Sequence, residues 1–135
     1  MKEAMASILV VDDEPAICSL MTVFLTGEGY WVRTAANGQQ ALAALARGPL
    51  PDLILLDLCM PVMPGRAVLA AVRADRNWRD IPVVVLTASA PGSPEMPLPG
   101  TYETLLQKPF DLDELLATVR QHTKPTVDYE AAASC

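Results

Sequence analysis

Three short apolar runs divide the chain: Ile8 to Val11, Leu53 to Leu56 and Val83 to Leu86. None of them alternates with polar residues, which is typical of strands buried on both faces of a parallel sheet. Two weaker runs, Trp31 to Ala35 and Thr104 to Gln107, indicate two further strands. The pattern therefore predicts a five-stranded sheet.

Most of the intervals between these runs show the periodicity of an amphipathic helix. Apolar residues recur at i, i+3, i+4, i+7 and i+8 from Ile17 onward, and Pro15 suits the first turn of that helix. Three later stripes comprise Ala41, Leu42 and Leu45; Val68, Leu69 and Val72; and Leu112, Leu115, Leu116 and Val119. Strands that alternate with helices predict an α/β fold, with right-handed crossovers and helices on both faces of the sheet.

The interval from Ala90 to Gly100 interrupts the alternation. Its prolines are Pro91, Pro94, Pro97 and Pro99. A proline inside a helix removes a backbone donor and clashes with the preceding turn, at about 3 kcal/mol per site. We therefore expect a loop where the fourth helix of the series would lie.

Length and composition limit the organisation of the chain. Its 135 residues suit a single domain. Periodicity ends near Gln121, which predicts a domain over 1–121 and a flexible tail or linker stub over 122–135. No apolar run approaches the roughly 20 residues of a membrane-spanning helix, and the first residues lack the layout of a signal peptide. We expect no membrane association.

Charge and cysteine content limit the possible binding partners and the cellular compartment of the protein. The net charge of −6 argues against direct nucleic-acid binding, because a protein of this charge does not neutralise a phosphate backbone. The three cysteines, Cys18, Cys59 and Cys135, are odd in number and lack metal-type spacing. They suggest free thiols in a reducing cytoplasm.

Polar side chains follow four of the predicted strands. Asp12 and Asp13 follow the first strand, and Asp57, Thr87 and Lys108 follow the third, fourth and fifth. In a parallel sheet the carboxyl ends of the strands share one edge, and ligands bind in the crevice outside that edge. These scattered residues are therefore expected to converge on one site.

This set of residue types favours phosphoryl chemistry. Clustered carboxylates repel one another, and Mg²⁺, which prefers oxygen ligands and often joins carboxylates to phosphate, would relieve that repulsion. A lysine and a threonine hydroxyl would neutralise and orient phosphoryl oxygens, which is most of what phosphoryl transfer requires. A carboxylate at such a site can also be the nucleophile, giving an acyl phosphate.

Four segments in order, ILVVDDEP, LILLDLCMPVMPG, IPVVVLTAS and LLQKPFDLDELL, resemble the response-regulator receiver domains of two-component signalling. The resemblance extends from Ile8 to about Arg120. It implies a flavodoxin-like, doubly wound parallel sheet with strand order 2-1-3-4-5. It also implies a phosphorylation-dependent signalling switch rather than a turnover enzyme.

The resemblance further implies a role for each site residue. Asp57 would accept a phosphoryl group from a sensor histidine kinase or a phosphotransfer protein, and the activated domain would act on a downstream protein that the sequence does not identify. Asp13, Asp57 and the backbone carbonyl of Cys59 would ligate Mg²⁺, with Asp12 acting through a metal-bound water. Thr87 would hydrogen-bond the phosphoryl group and Lys108 would pair with it. The Lys108–Pro109 bond would be cis, as is frequent at this position of the family.

Two features depart from the family pattern. Leu105 occupies the position, three residues before the lysine, where many members carry a switching Tyr or Phe, and the proline-rich interval alters the usual output face. An alternative interpretation is therefore a constitutive protein-binding module whose switching has lapsed. A phosphatase-like hydrolase is less well supported, because no Asp-x-Asp follows a strand. Taken singly, each site residue could also be structural; Asp12 and Asp13, for instance, could stabilise a helix N-terminus.

Overall fold

The structure is a computed structural model that describes residues 5–90 and 92–123. Along the chain, the elements are β1 (Ser7–Val11), α1 (Pro15–Gly27), β2 (Trp31–Ala35), α2 (Gly38–Arg47), β3 (Leu53–Asp57), α3 (Gly65–Ala74), β4 (Val83–Thr87), β5 (Thr104–Gln107) and α4 (Leu112–His122). All five predicted strands and the four helical stripes are present.

The five strands form one parallel sheet in the order β2-β1-β3-β4-β5. This confirms the fold class and the strand order implied by the resemblance. Every neighbouring pair is parallel, so all carboxyl ends lie along the same edge. The register pairs Val11 with Leu56 and Thr87 with Gln107, which brings the ends of these strands level.

The two faces of the sheet carry separate apolar cores, because successive side chains of a strand point to opposite faces. Leu9 and Val11 of β1 pack on the face covered by α2 and α3. Ile8 and Val10 pack on the face covered by α1 and α4. Burial on both faces explains why the central strands read as continuous apolar runs.

Local sequence signals set several helix boundaries. Pro15 is the first residue of α1. The Asn37 side chain accepts a hydrogen bond from the Gln40 N–H at the start of α2. Asp111 accepts one from the Glu114 N–H at 2.7 Å and so caps α4. Short polar side chains at these positions satisfy backbone donors that have no partner within the helix.

The connection from β4 to β5 is irregular, as the prolines predict. Its described residues, 88–90 and 92–103, form turns and bends without a helix. Met96 and Tyr102 pack against the core on the α2–α3 side. We call residues 92–103 the β4–β5 loop.

The C-terminal end of the described region is part of the packed domain. α4 extends to His122, one residue beyond the predicted boundary at 121, and Thr123 is buried within hydrogen-bonding distance of the Tyr30 hydroxyl. The rest of the predicted tail, 124–135, lies outside the described residues. Among the helices that the structure describes, none has the length and apolarity to cross a membrane.

Candidate functional site

The ends of four strands bring the predicted site residues to one edge of the sheet. Val11 of β1 pairs with Leu56 of β3, so Asp12 and Asp57 are the next residues on two adjacent strands. Thr87 ends the neighbouring strand β4, and its carbonyl accepts a hydrogen bond from the Lys108 N–H at 2.8 Å. Residues separated by up to 96 positions therefore meet at one place.

Three carboxylates form the centre of this site. One oxygen from each of Asp12, Asp13 and Asp57 lies within 4.8 Å of the others. Asp12 is fully buried and Asp57 is 5% exposed, whereas Asp13 is partly open to solvent. The cluster is thus shielded from solvent around Asp12 and Asp57 and accessible to solvent on the side of Asp13.

Lys108 supplies the positive charge at the cluster. Its Nζ lies 3.2 Å from Asp12 Oδ2 and 3.6 Å from Asp57 Oδ1. Burial alone would lower the pKa of Lys108, but the carboxylates of Asp57 and Asp12 outweigh that effect and raise it. Lys108 is therefore held as a cation. Among the described residues it makes the only ion pairs with these acids, so one positive charge faces three potential negative charges.

The pKa of Asp57 is raised to about 6, chiefly because burial disfavours the ionised form. Lys108 opposes this shift, whereas the nearby charge of Asp12 adds to it. The Cys59 N–H donates a weak hydrogen bond to Asp57 Oδ1 at 3.4 Å. Additional positive charge beside Asp57 would therefore favour its ionised form.

Thr87 is fully buried beside the cluster. Its Oγ1 accepts a hydrogen bond from the Ser89 N–H at 2.9 Å. Because the oxygen acts as the acceptor in this contact, the hydroxyl proton remains available to be donated. The geometry suits a donor to an oxyanion in the crevice.

Cys59 is exposed in the connection from β3 to α3, two residues after Asp57. Its Sγ lies 4.0 Å from Ser89 Oγ, so the residues that follow β3 and β4 approach each other at the mouth of the site. Whether its carbonyl serves as a metal ligand, as the resemblance implies, remains a prediction.

Gly65, the first residue of α3, lies directly against the backbone at the end of β3. The sequence pattern did not identify it as a site residue. A Cβ at this position would lie 2.7 Å from Leu58 Cα and would also collide with the carbonyl oxygen of Asp57. Only glycine allows the start of α3 to pass this close to the end of β3. The Gly in the segment MPVMPG was a possible signal, but close backbone approach is not visible in a linear pattern.

Residues 8–120 match the family of the response regulator receiver domain. The chain belongs to this family. In this chain, residues from all four segments that carry the resemblance meet at the carboxyl edge of a sheet with strand order 2-1-3-4-5.

The transcriptional regulatory protein KdpE of Mycobacterium tuberculosis is 41% identical over 117 residues, which cover 86% of this chain and 50% of KdpE. The chain therefore spans about half the length of this relative.

Two solved structures carry the same fold. The receiver domain of the sensor histidine kinase PA1611 from Pseudomonas aeruginosa, with magnesium in its active-site cleft, has a TM-score of 0.80 at 33% identity, covering 89% of this chain and 98% of that one. The response regulator TrrA from Thermotoga maritima, in complex with Mg²⁺ and BeF, has a TM-score of 0.75 at 34% identity, covering 87% of this chain and 98% of that one.

The carboxylate cluster of this receiver domain fits a magnesium ion. All three side chains offer hard oxygen ligands within a span that one cation can bridge, and their charge exceeds that of Lys108. Mg²⁺ also tolerates a site with few protein ligands, because it retains several waters.

Proposed function

We propose that this receiver domain is a magnesium-dependent signalling switch that accepts a phosphoryl group on Asp57 from a phosphohistidine of a sensor histidine kinase or phosphotransfer protein. The observation that carries the proposal is the convergence of Asp12, Asp13 and Lys108 on the buried Asp57 carboxylate. Supporting it, another structure similar to this chain is that of histidine kinase ThkA in complex with TrrA.

Each residue has a distinct part in the proposed transfer. An oxygen of Asp57 forms a bond to phosphorus while the phosphorus–nitrogen bond to histidine breaks, and the imidazole nitrogen keeps the electron pair. Lys108 pairs with a phosphoryl oxygen, and the Thr87 hydroxyl donates to another. Asp13, Asp57 and the Cys59 carbonyl would hold Mg²⁺, with Asp12 contacting it through water. The ion would offset the negative charge that gathers between donor and acceptor.

The phosphodonor is expected to approach along α1. Leu20 and Val23 on this helix are 49% and 74% exposed. An apolar cavity of about 530 Å³ lies between α1 and the residues after β5, and Lys108 is part of its wall. An apolar surface that reaches the phosphoacceptor site in this way suits a helical partner that delivers a phosphohistidine.

We assign this exchange to the cytoplasm and propose no direct contact between this domain and nucleic acid, in keeping with its acidity. The domain is proposed to act as a switch rather than as a turnover enzyme. Its output face would be atypical, because the β4–β5 loop replaces a helix and Leu105 stands at the aromatic position of the family.

The direct test is intact-mass measurement after incubation with acetyl phosphate and Mg²⁺. The wild-type chain should gain one phosphoryl group, Asp57→Asn should gain none, and Asp80→Asn, which changes an exposed acid at the other end of the sheet, should behave as wild type. An unmodified wild-type chain, or an Asp57→Asn variant that is modified to the same extent, would contradict the proposal.

The irregular β4–β5 loop and Leu105 also favour a second candidate function, that of a constitutive protein-binding module. Hydrogen exchange with and without beryllofluoride and Mg²⁺ separates the two functions. Altered protection in residues 92–107 supports a switch. An adduct that forms without any change outside the site supports the constitutive module.

A further inference from the structure

A side-chain hydrogen bond joins the β4–β5 loop to the mouth of the phosphoacceptor site. Ser89 Oγ donates a hydrogen bond to Glu95 Oε2 at 3.1 Å. The Ser89 N–H donates to Thr87 Oγ1, and Ser89 Oγ lies 4.0 Å from Cys59 Sγ. Glu95, Ser89 and Thr87 thus form a continuous path from the loop to the buried end of β4.

This contact fixes the direction of the Ser89 hydroxyl proton. A carboxylate only accepts hydrogen bonds, so the proton points towards Glu95 and the lone pairs of Ser89 Oγ are left for other donors. The N–H of Glu95 itself and the Ser89 hydroxyl lower the pKa of Glu95, in keeping with an ionised acceptor. Ser89 therefore offers an acceptor, rather than a donor, at the mouth of the site.

Ser89 is partly exposed beside Cys59 and Thr87, so its hydroxyl oxygen is a polar atom that a water approaching a phosphoryl group on Asp57 can meet. Asp57 is buried, whereas Cys59 and Glu95 are exposed and Ser89 is partly so. A lone pair on Ser89 Oγ can accept a hydrogen bond from such a water and hold its oxygen towards phosphorus. Orienting the attacking water in this way lowers the entropic part of the barrier to hydrolysis.

We propose that Glu95 is a positioning residue that accelerates hydrolysis of phosphorylated Asp57 by orienting the Ser89 hydroxyl. The inference rests on the proposed function. In the hydrolysis step the water oxygen forms a bond to phosphorus, and the bond from phosphorus to the Asp57 oxygen breaks. The electron pair returns to the Asp57 carboxylate, and the water proton passes to the released phosphate or to solvent.

The test measures the decay of the phosphorylated chain after acetyl phosphate is removed, in Mg²⁺, by phosphate-affinity electrophoresis. Loss of one orienting hydrogen bond should slow decay about 3- to 10-fold in Glu95→Ala and in Ser89→Ala. The double variant should decay at the rate of the single variants, because both changes remove the same contact. Glu95→Gln keeps an acceptor oxygen at the same distance and should restore the rate to within about twofold.

Matched controls separate this role from a structural one. Asp80→Ala removes the same charge at the opposite end of the sheet and should leave decay unchanged, and all variants should form the beryllofluoride adduct to the same extent. Decay of Glu95→Ala at the wild-type rate, or multiplicative effects in the double variant, would overturn this inference alone. Failure of the wild-type chain to take up a phosphoryl group would overturn the proposed function and this inference with it.

Discussion

Lys108 and Asp12, separated by 96 positions, form an ion pair of 3.2 Å in which the Asp12 side chain is fully buried and the Lys108 side chain is 21% exposed. The same ammonium group lies 3.6 Å from Asp57. One cation thus compensates two acids that the fold removes from water.

Lys108→Met should destabilise the metal-free protein at pH 7.5 by about 2–3 kcal/mol, because removing one partner of a buried pair leaves uncompensated charge. Urea denaturation in EDTA measures the change. The matched control is Arg120→Met, which breaks the exposed pair with Glu28 and should cost less than about 1 kcal/mol. Equal losses in the two variants would show that the Lys108 pairs contribute no more than a surface pair.

The raised pKa of Asp57 makes the stability of the metal-free protein depend on pH. Between the ordinary pKa of 3.8 and the folded value of about 6, the folded state binds more protons than the unfolded state. The free energy of unfolding therefore falls as pH rises through this window, by up to about 3 kcal/mol. Urea denaturation in EDTA at several pH values should show this slope in the wild type but not in Asp57→Asn. Identical profiles would refute the assignment to Asp57.

Asp13→Asn should weaken Mg²⁺ binding by about tenfold or more, because it removes one of three carboxylates that share the cluster. Isothermal titration calorimetry of the full chain gives the dissociation constant. Asp80→Asn serves as the control and should bind Mg²⁺ as the wild type does. An unchanged affinity in Asp13→Asn would exclude this carboxylate from the ion site.

Gly65→Ala should destabilise the fold by about 1–3 kcal/mol, since the added Cβ collides with the backbone of Asp57 and Leu58. Because this collision would displace the backbone of Asp57, the substitution should also reduce formation of the beryllofluoride adduct. Gly27→Ala is the matched control: its Cβ meets no atom within 4 Å at the end of α1, so it should be neutral or stabilising by about 0.5 kcal/mol. Thermal unfolding and adduct yield, measured together, test both effects.

Arg73 anchors the end of the β4–β5 loop. Its guanidinium donates to the carbonyl oxygens of Thr101, Arg79 and Ile81 and pairs with Glu103 at 3.3 Å. Arg73→Ala should therefore cost about 2–3 kcal/mol and increase hydrogen exchange in the loop. The control Arg76→Ala changes an exposed arginine three residues further along the chain, and its free energy of unfolding should stay within about 0.5 kcal/mol of the wild-type value. Unaltered exchange in Arg73→Ala would show that the loop is held by other contacts.

Much of the secondary structure was readable from the sequence for a simple physical reason. Strands buried on both faces need apolar side chains at every position, so β1, β3 and β4 are visible as unbroken runs. Prolines disfavour a helix wherever they occur, so the irregular β4–β5 loop was also predictable. The polar residues at the strand ends followed from where those runs stop.

Strand order was not contained in the hydrophobic pattern; it came from the resemblance to receiver domains and was confirmed by the structure. Some contacts between exposed or half-buried polar residues had no signal in the pattern. Arg73 and Glu95 are separated from their partners by loops whose course depends on packing, and neither was singled out from the sequence.

Residue order by itself therefore determined which segments form the sheet and which chemical groups stand at its carboxyl edge. Tertiary structure alone decided that Lys108 pairs directly with both Asp12 and Asp57, that Gly65 must lie against the end of β3, and that Ser89 turns its proton towards Glu95. The reason is that periodicity reports burial along a local stretch of chain, whereas distances between side chains depend on how crossovers bring remote stretches together.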